Sequence, residues 1–199
     1  MTIRLSEPPP AAPDVADSAL RSFVTSGEYR LRTLEGKSPD AIAPAQPHPV
    51  YTLGLQDIVD GRGLRAATLT SWRFLLQQGG NTVAALELAV DKQSGAMSFA
   101  GVNAGPFVDS TAAALGPHFD QLTPEPGDWS VRLLRIPALY MYAVWLADTT
   151  AGKDLLIPLA PAPDGIQAGR PYSWDELSQV LLPAARSKLS AGNPSPGRA

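Results

Sequence analysis

Histidine occurs twice in this chain, at His48 and His118, and cysteine not at all, so thiol catalysis, disulfides and thiolate zinc sites are closed to it. His118 stands in GPHFD two residues before Asp120, a spacing that could join a general base to an orienting carboxylate. No nucleophile is tied to that pair by a recognised pattern, and the segment reads as a surface loop. His48 lies between two prolines in QPHPV and reads as linker. A metal centre would need carboxylates, and no cluster of them suggests one. Phosphate loops of the GxxxxGK[ST] type, GxSxG elbows, HExxH and CxxC are all missing, and GRG at Gly61–Gly63 neither follows a long strand nor opens a helix. The chain therefore reads as non-catalytic, with no cofactor and no metal.

Recognition chemistry is better represented. Trp72 and Arg73 are neighbours within a β-rich run, so they point to opposite faces, and a buried Trp72 would leave Arg73 in solvent. The functional alternative joins Arg73 to Arg132 or Arg135 on a neighbouring strand, making a cationic patch for an acidic partner or ligand. GVNAGPF leads from a strand into a helix, and its N–H groups could hold an anion with help from Asn103. Plain turn duty is the competing reading of its glycines and asparagine. Phe107, Trp129, Tyr140, Tyr142 and Trp145 gather aromatic character in the second half of the chain, suited to a core, an interface or a ligand cleft. The residues singled out for ligand or partner binding are Trp72, Arg73, Asn103, Arg135, Tyr140, Tyr142 and Trp145.

Charge restricts the partners. A net charge of −3 spread along the chain offers no phosphate-neutralising face, so nucleic acid is not expected. The first residues, MTIRLSEPPPAAPDVADSAL, lack the apolar core of a signal peptide. The longest apolar run, Ile136 to Ala147, is interrupted by Pro137 and falls short of the roughly twenty residues a membrane helix needs. A soluble, cytoplasmic protein without membrane contact is the expectation.

The elements that must position these residues follow from periodicity and punctuation. Pro8, Pro9, Pro10 and Pro13, then Pro39, Pro44, Pro47 and Pro49, mark residues 1–48 as an extended, disordered leader. Within it, Asp17 could cap a short helix bearing Leu20, Phe23 and Val24 and ended by Gly27, and EYRLRTL alternates as a strand. A single domain is expected over 49–189. VYTLGL reads as its first strand, and QDIVDGRG as a helical turn. ATLTSWRFLLQ, TVAALELAV and AMSFAGV read as three consecutive antiparallel strands joined by QGGN and DKQSG.

A helix is expected from Pro106 or Asp109, broken at Gly116 and Pro117. DWSVRLLRI and LYMYAVWLA then read as strands, the second apolar on both faces and hence central. LLIPLA, with Pro158, reads as an edge strand. Ser173 and Glu176 form a capping box, with Tyr172 and Leu177 as a hydrophobic staple, so the last helix starts there; Pro183 should kink or end it, and 190–199 reads as a disordered tail.

The whole predicts an α+β fold: a curved, mostly antiparallel sheet of about six strands with helices packed on one face. Two functions fit. The first is a non-catalytic interaction module, an adaptor or structural subunit that binds a protein partner or itself through the leader. The second is a small-ligand-binding or enzymatic α+β roll with its cavity between sheet and helices.

Overall fold

The computed structural model describes residues 2–26, 31–116, 128–149 and 152–192. In chain order the elements are β1 (Thr2–Leu5), α1 (Ala12–Ser26), β2 (Ala43–Thr52), α2 (Leu55–Val59), β3 (Thr68–Gln78), β4 (Asn81–Val90), β5 (Met97–Asn103), α3 (Pro106–Ala114), β6 (Asp128–Ile136), β7 (Met141–Asp148), β8 (Leu155–Pro158), β9 (Tyr172–Ser173) and α4 (Trp174–Gly192). The fold is α+β. One sheet of nine strands runs in the order β5-β4-β3-β2-β6-β7-β8-β9, with β1 beside β6 off that path. All its pairings are antiparallel except β1 with β6 and β2 with β6.

The sheet has nine strands, not about six: seven answer to segments read as strands from VYTLGL to LLIPLA, and two short ones escaped the alternation test. β1 has four residues and comes from the leader, and β9 has two. The β3-β4-β5 meander forms as its turn residues require, and β7 lies between β6 and β8.

Residues 43–48, placed in the leader by their prolines, are instead the first half of β2. Proline cannot donate to a ladder and is tolerated at bulges or beside an open edge. Pro47 falls in the bulge between Ala45 and His48, and β6 pairs only with Val50–Thr52, beyond the last proline. The leader helix starts at Ala12 rather than after Asp17, because Pro13 suits a first helical turn and Asp14 meets its dipole. Asp17 pairs with Arg21 one turn on. The expected helix stop, Gly27, lies outside the described residues. Of the strand expected over EYRLRTL, residues 28–30 also lie outside them, and Arg32–Leu34 is a 3-10 turn.

Alternation along the strands sorts the core into two faces. Trp72, Phe74 and Leu76 of β3, with Leu86 and Leu88 of β4, pack on Ala12, Ala16 and Leu20 of α1. On the same face, Leu134, Ala143, Trp145 and Leu156 pack on Leu177, Leu181 and Ala185 of α4, with Ile58 of α2. The opposite face carries Leu75, Ala85 and Val108 in one cluster. It also carries a larger cluster of Val50, Val131, Leu133, Val144, Leu146, Ile157 and Leu115. Val108 belongs to α3, so helices cover both faces, not one. A strand sheet buried on both sides requires such a second cover.

Ser173 and Glu176 close the capping box on α4: the Glu176 amide donates to Ser173 Oγ, and the Ser173 amide donates to Glu176 Oε2. The helix runs through Pro183 to Gly192 instead of ending there, held by Leu181 and Ala185 in the core. Among the described residues no helix is long and apolar enough to cross a membrane.

Candidate functional site

Between the two apolar clusters on the α3 face lies a row of polar side chains. Strand register sets the row: His48 of β2 is opposite Arg73 of β3, and Arg73 is opposite Glu87 of β4. Arg135 of β6 stands across from Tyr142 of β7 and Thr52 of β2. Period-two alternation turns all of them to the side that α3 covers. Four interior strands therefore project ionisable groups into a region where solvent is scarce.

Arg73 is 3 % exposed. Its Nη2 donates to Asn103 Oδ1 at 2.9 Å, and its guanidinium lies 5.7 Å from the centre of the Tyr142 ring. Its Nε and Nη1 are buried and have no hydrogen-bond partner among the described residues. Burial pushes the Arg73 pKa below its ordinary value, against the pull of the Glu87 carboxylate. Arg135 Nη1 pairs with Glu87 Oε1 at 3.1 Å, and its Nη2 reaches Thr70 Oγ1 at 3.4 Å. Arg135 Nε is buried without a partner among the described residues. The same Glu87 oxygen also accepts from Ser71 Oγ. The cluster thus sets two guanidiniums against one carboxylate.

His48 is 1 % exposed, so the linker reading is overturned. The bulge at Gln46 and Pro47 swings the Gln46 carbonyl toward its ring, and His48 Nδ1 donates to it at 2.8 Å. A carbonyl only accepts, so Nδ1 carries the proton and Nε2 is the bare acceptor. Nε2 is buried and unpartnered among the described residues. Burial, reinforced by the charge of Arg73, pushes the His48 pKa down to about 4 despite the Gln46 bond, leaving a neutral ring at pH 7.

The cover is aromatic and aliphatic. Phe107 at the start of α3 packs 4.3 Å from the Tyr142 ring and 5.0 Å from Tyr140. Tyr140 itself is 68 % exposed, in the left-handed region at φ 50°. Gln46 Nε2 donates to the Leu115 carbonyl at 3.0 Å, tying β2 to the end of α3. Gln46 also lines an open cavity of about 640 Å³ with Gln77, Asn81, Thr82, Asp109 and Leu115.

Of the residues singled out from sequence, Arg73, Asn103, Arg135 and Tyr142 come together here, with Tyr140 at the margin through Phe107. Arg73 is buried rather than solvated, because both faces of β3 are covered. Asn103 turns to Arg73 instead of the α3 N-terminus, where Gly105 accepts the first helical amides. Trp72 and Trp145 lie on the other face, in the clusters under α1 and α4. Arg132 goes with them, its guanidinium 5.1 Å from the Tyr51 ring centre and 4.7 Å from that of Trp145, while Trp145 Nε1 donates to Asp154. His118 and Asp120 lie outside the described residues.

Glu87, Ser71 and His48 were not singled out. For Glu87 a signal existed: in TVAALELAV it shares its strand face with Ala85 and Ala89, while the leucines take the other. For His48 none did, because its prolines outvoted it.

A separate groove of about 820 Å³ is walled by Ile58, Leu64, Trp174 and Leu182, with Arg65 and Lys153. Among the described residues no group of three or more His, Cys, Asp or Glu side chains could hold a metal ion. Comparison with protein families, with curated proteins and with solved structures finds no match.

Proposed function

We propose that this protein is a small-molecule-binding α+β domain whose ligand presents an anionic group to Arg73, between the sheet and α3. One observation carries the reading. A guanidinium that is 3 % exposed retains two nitrogens with no partner among the described residues, and the nearby carboxylate is already engaged by Arg135 and Ser71. A buried charge left without a partner costs several kcal/mol, so the site is built to be completed by an anion. Arginine is suited to this because its N–H groups match carboxylate and phosphate oxygens. Asn103 and Tyr142 hold the guanidinium in place.

Urea unfolding in sodium acetate or sodium phosphate, compared with sodium chloride at matched ionic strength, tests the reading. The wild type should be stabilised in a saturable manner, by about 2.7 kcal/mol at one hundred times the dissociation constant. Arg73→Met should show no such gain, and in chloride it should be at least as stable as the wild type, since an apolar side chain replaces an unpaired buried charge. Equal stabilisation of R73M and wild type would overturn the proposal.

The interaction-module reading is favoured by a different observation. Among the described residues β5 sits at the end of the sheet and pairs only with β4, and its Ser98, Phe99 and Ala100 are exposed. MSFAGVN carries neither charge nor proline to blunt that edge. A partner strand would add there, whereas α1 of the leader already buries Ala12, Ala16 and Leu20 on its own sheet.

A further inference from the structure

We infer that the anion bound at Arg73 also carries a hydrogen-bond donor, an O–H group that it gives to His48 Nε2, as in a hydroxy acid or an acid phosphate. The inference rests on the anion-binding reading and specifies the ligand class.

The atoms of the site that lack a partner among the described residues are of two kinds. Arg73 Nε and Nη1 and Arg135 Nε are donors, and each needs an acceptor. His48 Nε2 is an acceptor, fixed as such by the Nδ1 bond to the Gln46 carbonyl, and it needs a donor. His48 and Arg73 are register partners on adjacent strands, side by side on one face. Despite that closeness, the arginine donors and the histidine acceptor make no hydrogen bond to each other. Burying both unsatisfied would cost about 1–3 kcal/mol for each group, and more for the charged one. A ligand that only accepts, such as a bare carboxylate, would satisfy arginine and leave the imidazole nitrogen stranded. A ligand that accepts at one atom and donates from another satisfies both. The neutrality of the ring at pH 7, enforced by burial, keeps the acceptor lone pair free.

Glycolate and acetate differ by one hydroxyl, and isothermal titration of the full chain with each at pH 7 compares them directly. Glycolate should bind about tenfold more tightly than acetate, the worth of one well-made hydrogen bond. In His48→Phe the ratio should fall to about one. The imidazole resonances of the wild type give a second readout that needs no variant: Nε2 should shift on adding glycolate and not on adding acetate. Equal affinities in the wild type, or a glycolate preference that survives in H48F, would overturn the inference and leave the anion site standing. Binding of neither anion would overturn both.

Discussion

Arg73 gives one nitrogen to Asn103 and, among the described residues, leaves two without partners in a region that the sheet and α3 bury. Its companion His48 has an equally exposed thermodynamic signature. Because burial lowers its folded pKa from the ordinary 6.5 to about 4, the unfolded chain binds a proton between those values and the folded chain does not. Stability is therefore complete above pH 6.5, falls as pH drops through that window, and levels off below it. The displacement corresponds to about 3 kcal/mol at its full extent. Urea unfolding of the wild type and H48F from pH 4 to 7 should show the wild type losing stability more steeply, by about that difference. Parallel curves would mean that His48 is not held neutral by burial. Alternation offered Arg73 a partner in Arg132 or Arg135 on a neighbouring strand without choosing between them, and β2 in fact lies between β3 and β6; Asn103 was read at the start of α3 and not beside Arg73. The partnership with His48 was not legible, since it depends on a bulge that places two β2 residues out of step with β3.

The elements show how far local pattern reaches and where it stops. The β3-β4-β5 meander, α3 with its Pro106 start and the capping box of α4 were all legible, because each rests on contacts within a few residues. The leader was misjudged because proline content argues against regular structure only where a strand must pair on both sides. β2 is paired on both sides only from Val50 onward. The burial of α1 was likewise hidden, since three of its contacts, at Ala12, Ala16 and Leu20, are with strands more than fifty residues away. If α1 belongs to the core, Leu20→Ala should cost about 2–5 kcal/mol in urea unfolding, as large-to-small changes at fully buried leucines do. A loss near zero would restore the leader to the solvent. Removing residues 1–48 would take β1, α1 and half of β2 with it, so that deletion cannot separate partner binding from folding.

At the scale of the molecule, one nine-stranded sheet carries helices on both faces but treats them differently. The face under α1 and α4 is apolar nearly throughout, while the face under α3 is divided by the polar row of His48, Arg73, Glu87 and Arg135. A core that served stability alone would gain from replacing that row with apolar side chains. The edge at β5 is a separate matter and has its own test. If self-association runs through it, Ala100→Lys should convert the assembly to a monomer in light scattering without altering acetate stabilisation. A wild type that is already monomeric would remove the support that edge gives to self-association.

The central claim is that Arg73 awaits an anion, and the nitrogen resonance of its own Nε–H reports on it most directly. Titration of 15N-labelled protein with sodium acetate at constant ionic strength should move that resonance along a saturating curve, with the same midpoint as the gain in urea stability. A resonance that stays fixed, or drifts without saturating as those of exposed arginines do, would contradict the account.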